Sequence, residues 1–362
     1  MAHLRDVIVA GGGPAGLAVA VAAASRGLDV LVLERRVLPA DKACGEGILP
    51  AGVRALEALG ARALLDGSAV APLRAIRWLD GGLEVEARLP APGGLGVRRT
   101  ALSAALLARA RAAGAEVRDR ASVRAHRRRL QDVEVDTEGS AERARLLVAA
   151  DGLASPIRRR EGLDAPLLGP PRFGLRRHFA RPPWGDSVEV HFADGVEAYV
   201  TPAGPGRVGI AFLCEAARRA SFRALLARFP DLARQVAGAP YDSTLAGAGP
   251  LARAARTRVV DRLVFLGDAA GYVDAITGEG LSLAFQGALA LGQALPRALA
   301  SGATRETLSD WEKGEARRFA LYAVTTRIVL GLARRPAARR PALAFLARHP
   351  HLFTGAVGLV VG

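Results

Sequence analysis

The 362-residue chain is poor in cysteine, methionine, lysine and aromatic residues. Cys44 and Cys214 are its only cysteines, too few for a disulfide framework. Six histidines (His3, His126, His178, His191, His349 and His351) show no zinc-type spacing, which excludes a structural zinc domain. Met1 is the sole methionine. Lys42 and Lys313 are the only lysines among 50 cationic side chains, so arginine carries almost all of the +15 net charge. Abundant alanine, glycine and arginine are what a GC-rich genome produces, so part of that charge reflects codon usage. The basic residues are dispersed, and no helix-turn-helix, RNA-binding or zinc signature accompanies them, so nucleic acid is not the expected partner. Half of the residues are hydrophobic, enough for a large core at a length that suits about two domains.

Long apolar runs are also scarce. Val7 to Ala24 is uncharged for 18 residues, the length of a short membrane span. Gly11-Gly12-Gly13-Pro14 breaks any helix there and divides the run into a β-branched piece and an alanine-rich piece. A signal peptide is not expected either, because a second apolar stretch follows at Val30-Leu31-Val32-Leu33. The expected localisation is cytoplasmic. The C-terminal stretch from Leu352 to Val361 is too short to span a bilayer and follows an arginine-rich segment, Arg334 to Arg348. Two readings stay open for it: a terminal helix packed on the domain, and a basic, apolar tail that touches the inner face of a membrane.

What the sequence does contain is a strand–turn–helix–strand unit. Val7 to Ala10 reads as a buried parallel strand, Leu17 to Ser25 as a helix stopped by Gly27, and Val30 to Leu33 as a second buried strand. Between the first two lie Gly11, Gly13 and Gly16 in the pattern G-x-G-x-x-G, with Pro14 and Ala15 inside it. Gly11 permits the tight turn, Gly13 lets the backbone approach a pyrophosphate, and Gly16 lets helix pack on strand. Glu34, beside Arg35, ends the second strand 18 residues after Gly16, where a carboxylate binds ribose hydroxyls.

Two later segments favour a flavin over a nicotinamide dinucleotide. Leu146 to Ala150 is a buried strand ending in Asp151-Gly152, with Ser155 and Arg158 following. Leu263 to Leu266 runs into Gly267-Asp268-Ala269-Ala270-Gly271, then Thr277-Gly278-Glu279-Gly280 and a helix from Leu281 to Leu295. Asp268 is placed to bond a ribityl hydroxyl. The backbone N–H groups at Gly280-Leu281 are placed to meet the electron-rich edge of a flavin.

Together these motifs resemble the group A FAD-dependent monooxygenase and geranylgeranyl reductase superfamily, over residues 7 to 295. The resemblance implies the p-hydroxybenzoate hydroxylase fold: an α/β, Rossmann-type FAD-binding domain with an inserted antiparallel β-sheet substrate domain and C-terminal helices. It also implies that Arg99, followed by Leu102 and Leu106, reaches the FAD phosphates. The expected FAD-binding domain is 1–74, 97–170 and 251–300. The expected substrate domain is 75–96 and 171–250, and 301–362 is a helical extension. Within the substrate domain, Ala75–Leu79 and Leu83–Leu89 read as a hairpin. Strands at 173–179, 187–192, 197–201 and 208–213 read as a meander, and Glu215 to Phe229 as a covering helix.

Lys42-x-Cys44-Gly45-Glu46-Gly47 and Thr277-Gly278-Glu279-Gly280 are similar to the prenyl reductase branch and to relatives that hydroxylate polyketides. Tyr199-Val200-Thr201-Pro202 departs from the Y-x-W-x-F-P pattern of prenyl reductases, which argues against reduction of geranylgeranyl lipids. Ala275 departs from the proline of many hydroxylases. A W-x-W-I-P motif is lacking, which argues against a tryptophan-type halogenase. The expectation is an NAD(P)H- and oxygen-dependent monooxygenase acting on a lipophilic aromatic or polyketide-type small molecule in secondary metabolism, with double-bond reduction as the alternative. NAD(P)H would dock transiently, since a second Rossmann unit is lacking. Lys42, Cys44, Glu46 and Tyr199 are the candidate pocket residues, with His191 and Arg177 behind them. The plain readings are a surface lysine, a packing cysteine and a satisfied structural histidine. Arg127 to Arg129 reads as a solvated turn.

Overall fold

The computed structural model describes residues 3–166, 170–215 and 221–361. β1 (Leu4–Ala10), α1 (Pro14–Ala24) and β2 (Val30–Leu33) form the expected unit. All of α1 except Ala15 is buried, which its uniformly apolar sequence dictates. It lies between the sheet and the helix Gly280–Ala300, where a Cβ on Gly292 would stand 2.5 Å from Ala22. α2 (Arg99–Ala112) packs on α1. β3 (Ala141–Ala149) and β4 (Leu263–Phe265) continue the sheet on the other side of β1, all parallel. α3 (Gly280–Ala300) is one turn longer at its C-terminal end than expected and tolerates Pro296 in its last turns.

The register is what builds the site. Ala10 is paired with Ala149, and Ala149 with Phe265. The residues that follow each strand therefore leave the sheet at one edge and one level. That edge lies at the switch point of the strand order, where β2 sits on one side of β1 and β3 on the other.

A seven-stranded sheet forms the second layer. Its meander is antiparallel through Phe173–Ala180, Arg207–Cys214, Val196–Pro202 and Ser187–Ala193. The hairpin Ala75–Asp80 with Leu83–Arg88 joins it through a parallel pairing with Ser187–Ala193, and Ala246–Ala248 covers the opposite edge. The expected covering helix is shorter. A helix at Phe222–Leu226 is capped by Ser221, and Pro230 starts a separate one, Pro230–Gln235. Residues 216–220 of that expectation lie outside the described residues. Arg127 and Arg128 belong to a strand, Ala125–Arg128, rather than a turn, and pair with Glu134 and Glu161.

Three helices end the chain: α4 (Ser309–Ala333), α5 (Pro336–Arg348) and α6 (Pro350–Val361). Two buried contacts fasten them to the hairpin. Arg339 Nε donates to Asp80 at 2.8 Å, and the Phe353 ring lies 5.0 Å from Trp78. Among the described residues no helix is long and apolar enough to cross a membrane.

Candidate active site

A cavity of about 610 Å³ opens between the two sheets, over the carboxyl edge of β1 and β3. At one end it is walled by the turn before α1. Gly11 has φ +110°, and a Cβ there would stand 2.4 Å from the Ala150 carbonyl oxygen. A Cβ on Gly16 would overlap the Gly11 carbonyl oxygen at 1.8 Å. Only glycine lets the two strand ends and the helix meet this closely. Gly13 differs: a Cβ there would meet nothing nearer than Arg99 Nη2 at 3.8 Å, so the space above it is open. Gly13, Pro14 and Ala15 line the cavity, and the first N–H groups of α1 face it. The Arg99 guanidinium lines the same wall and has no acidic partner among the described residues, and its buried Nε has no acceptor. A helix N-terminus, an open glycine and a free guanidinium together fit a pyrophosphate.

Not every predicted binding residue faces the cavity. Glu34 Oε2 accepts from the Gly12 N–H at 2.7 Å and Oε1 from the Arg36 N–H at 2.9 Å, so its carboxylate braces the glycine turn. Arg35 is exposed and lies away from the cavity wall. Asp151 Oδ2 accepts from the Ile157 N–H at 3.2 Å, beside the Ser155 N-cap of the helix Pro156–Arg160, while its buried Oδ1 has no partner among the described residues, and burial raises its pKa. Its neighbours Ala150 and Gly152 line the cavity instead. Arg158, fully buried, ties the second motif to the third: Nη1 donates to the Ala269 carbonyl at 2.7 Å and Nη2 to that of Leu153 at 2.9 Å. Its Nε bonds Asp164 at 2.5 Å.

The third motif forms the floor. Gly267 has φ +61° and packs against Ala15, and Asp268 lines the cavity. Lys42 Nζ lies 3.7 Å from Asp268 Oδ2, so the lysine is a cavity residue rather than a bystander on the surface. Gly278, Gly280 and Leu281 present the N-terminus of α3 to the same space. Glu279, at the N-cap, is buried with Oε2 unpartnered, and burial pushes its pKa up to about 7.

The remaining candidates separate. Cys44 is half-buried in the cavity wall and its sulfur accepts from the Glu46 N–H at 3.4 Å. Glu46 also borders the cavity, but both oxygens are engaged: Oε1 accepts from the Arg99 N–H at 3.0 Å, and Oε2 bonds His178 Nε2. Tyr199 lines the wall with its hydroxyl committed to the Ile276 carbonyl at 2.9 Å. Burial pushes its phenol well above the ordinary range, so the proton stays in place. Glu46 and Tyr199 are therefore positioning residues. His191 pairs with Glu189 at 2.8 Å, and Arg177 stacks on Tyr241, 3.6 Å from the ring centre.

Two buried networks leave no spacing signature in the sequence. His178 Nδ1 lies 3.1 Å from Arg176 Nη1, and arginine can only donate, so Nδ1 accepts and Nε2 carries the proton toward Glu46. Arg176 also holds Asp41 at 2.5 Å. On the other side, Arg172 bonds Glu197 at 2.6 Å and Asp274 at 2.9 Å. Burial works against its charge, yet Asp274 and Glu197 keep its pKa above the usual arginine value. Asp274 Oδ1 in turn accepts from the Ile276 N–H, and the Asp274 carbonyl accepts from Tyr322. The loop before Gly278 is thus pinned from the sheet and from α4. No group of metal-ligating side chains occurs among the described residues.

Comparison with known proteins agrees with this geometry. Residues 5–172 match the FAD binding domain family. The chain is 34% identical over 304 residues to digeranylgeranylglycerophospholipid reductase 1 of Methanopyrus kandleri, covering 77% of each chain. It is 31% identical over 299 residues to menaquinone reductase of Mycobacterium tuberculosis, covering 76% of this chain and 72% of that one. Among solved structures, a flavoprotein/dehydrogenase from Cytophaga hutchinsonii superposes with a TM-score of 0.81 at 19% identity, covering 90% of this chain and 85% of the other. With the glycine turn, Asp151-Gly152 and Gly267-Asp268 gathered at one sheet edge, the chain belongs to the FAD-dependent monooxygenase and geranylgeranyl reductase superfamily, the group A flavoproteins.

Proposed function

We propose that this FAD-dependent oxidoreductase reduces a carbon–carbon double bond in a long, apolar, isoprenoid-like chain. The observation that carries this reading is the shape of the cavity. Beyond the stretch from Gly13 to Gly280 and Leu281 that the cofactor would fill, it continues to Phe353, Val357 and Leu359 on α6, with walls of Ile76, Val188, Val190 and Leu213. An extended hydrocarbon suits such a passage better than a compact phenol, because each buried CH₂ contributes about 0.8 kcal/mol. The names of the two relatives, both reductases of lipids, favour the same chemistry. Thr201 stands in the wall where the prenyl reductase pattern has tryptophan, which leaves this chain a wider passage at that point.

When bound, FAD supplies the hydride, delivered to one carbon of the double bond. The residues of this chain do the rest. Arg99 and the N-terminus of α1 would hold the diphosphate, Asp268 would bond the ribityl chain, and the N-terminus of α3 would favour negative charge on the reduced ring. Tyr199 and Arg172 hold the loop that places that helix end. The second carbon needs a proton, and we assign it to the Cys44 thiol, the half-buried acid of the wall whose proton is not committed elsewhere. The thiolate regains its proton from solvent, so the net change in the substrate is two hydrogens. NAD(P)H, docking transiently, is the reductant we expect.

The hydroxylase reading keeps one supporting feature, the same apolar walls over the flavin end, which would also shield an oxygen-transfer step. Anaerobic turnover separates the two. FAD-loaded protein, a chemical or nicotinamide reductant and a polyprenyl lipid are expected to give a product heavier by 2 Da without oxygen, and Cys44→Ala should slow that step by ~100-fold or more. Product heavier by 16 Da, formed only with oxygen, would overturn the reductase assignment.

A further inference from the structure

We propose that the outer face of α4 and α6 docks on an anionic lipid bilayer, and that the cavity fills from the bilayer through this face. The proposal rests on the lipid-substrate reading above, but its test does not. The first observation is where apolar side chains meet water. Leu321, Val324 and Ile328 form one stripe on α4, spaced at three and four residues. Leu321 is 57% and Ile328 60% exposed, and Leu359 on α6 is 84% exposed.

The second observation is that Leu321, Ile328 and Leu359 also line the cavity. A residue that is both a wall of the chamber and open to solvent marks its mouth. At its α4–α6 end the chamber therefore opens onto an apolar rim, whereas Gly45, Asp268 and Gly278 mark the opening at the cofactor end. A hydrocarbon chain leaving water at such a mouth gains nothing until it is inside, whereas one arriving from a bilayer stays in apolar surroundings throughout.

The third observation is charge. Residues 316–362 contain eight arginines and neither aspartate nor glutamate. Arg339 is buried against Asp80, and Arg318, Arg334 and Arg340 reach acids elsewhere. Arg317, Arg327, Arg335 and Arg348 have no acidic partner among the described residues. Arg317 lies one turn before Leu321 on the same side of α4, and Arg327 is adjacent to Ile328. Unpaired cations beside an exposed apolar stripe fit an interface of anionic headgroups over acyl chains. The α5 and α6 anchors, Arg339 on Asp80 and Phe353 on Trp78, hold this face rigidly against the roof sheet.

The test is co-sedimentation of the FAD-loaded full chain with vesicles of phosphatidylcholine alone and with one-third phosphatidylglycerol. The expected result is binding to the anionic vesicles, weakened by salt. The triple variant Arg317→Gln, Arg327→Gln, Arg335→Gln should lose on the order of a hundredfold in partitioning. The double variant Ile328→Gln, Leu359→Gln should lose binding with its melting curve and FAD content retained. Failure of the parent protein to prefer anionic vesicles would overturn the proposal, as would equal binding by all three proteins. So would sedimentation velocity showing a dimer that the double variant dissociates, since the occupant would then be a second copy. Vesicle binding without reduction of any polyprenyl lipid would sink the proposed reaction and leave the docking surface standing.

Discussion

Gly13→Ala separates the phosphate cradle from the fold. The backbone at Gly13 is extended (φ −74°, ψ 178°), which alanine adopts freely. The added methyl would meet only Arg99 Nη2, at 3.8 Å. The apoprotein should therefore lose no more than about 1 kcal/mol, the cost of alanine in place of glycine at a helix N-cap. Bound FAD is another matter. A methyl above the turn holds the diphosphate away from the first amides of α1, and losing two charge-assisted bonds at ~1.5 kcal/mol each weakens binding about 150-fold. Gly16→Ala is the contrasting perturbation. Its methyl would lie 1.8 Å from the Gly11 carbonyl oxygen, so helix and strand must part, and overpacking of this kind costs about 3 kcal/mol or more in the apoprotein itself. The assays are thermal melts of both apoproteins and titration of flavin fluorescence with each. If Gly13→Ala binds FAD within threefold of the parent, the diphosphate does not cross that glycine, and the assignment of the cradle is wrong.

Two other outcomes are expected. Arg158→Met should destabilise the protein by about 2 kcal/mol or more, because it strands the carbonyls of Ala269 and Leu153, and denaturant unfolding will measure it. Glu279 has its folded pKa raised by burial from 4.5 to about 7, so between those values the folded state holds a proton that the unfolded state has lost. Stability then falls as pH rises through that window, by roughly 3 kcal/mol at most, and Glu279→Gln should flatten the fall in apoprotein melts taken from pH 4.5 to 7.5.

The part of the molecule legible in the sequence is the part whose physics is local. Gly11 and Gly16 announce a turn because only glycine fits there, and the β-branched runs at Val7 and Val30 announce buried parallel strands. The hairpin and meander follow from turn residues and short apolar runs. What could not be read depends on contacts across long stretches of chain. Glu46 and His178 are 132 residues apart and Arg172 and Asp274 are 102, so neither pair leaves a spacing signature. The only hint was residue type: a histidine and an arginine inside strands that otherwise read as core. Asp151 ends a strand beside the site, which suggests a ligand, but its Oδ2 is engaged by the Ile157 N–H of the next short helix and only its buried Oδ1 is left without a partner among the described residues. The helix expected over 215–229 breaks because Pro230 cannot continue it, a stop that periodicity alone does not weigh.

Glu46 has a wider consequence. It holds a left-handed backbone (φ +62°), accepts from the amide that opens α2 and meets a histidine of the roof. One carboxylate thus links the grip on the cofactor to the ceiling above the substrate. Attempts to retarget this enzyme by transplanting a relative's ceiling would loosen that grip, unless the histidine and its acidic partner travel together with the graft.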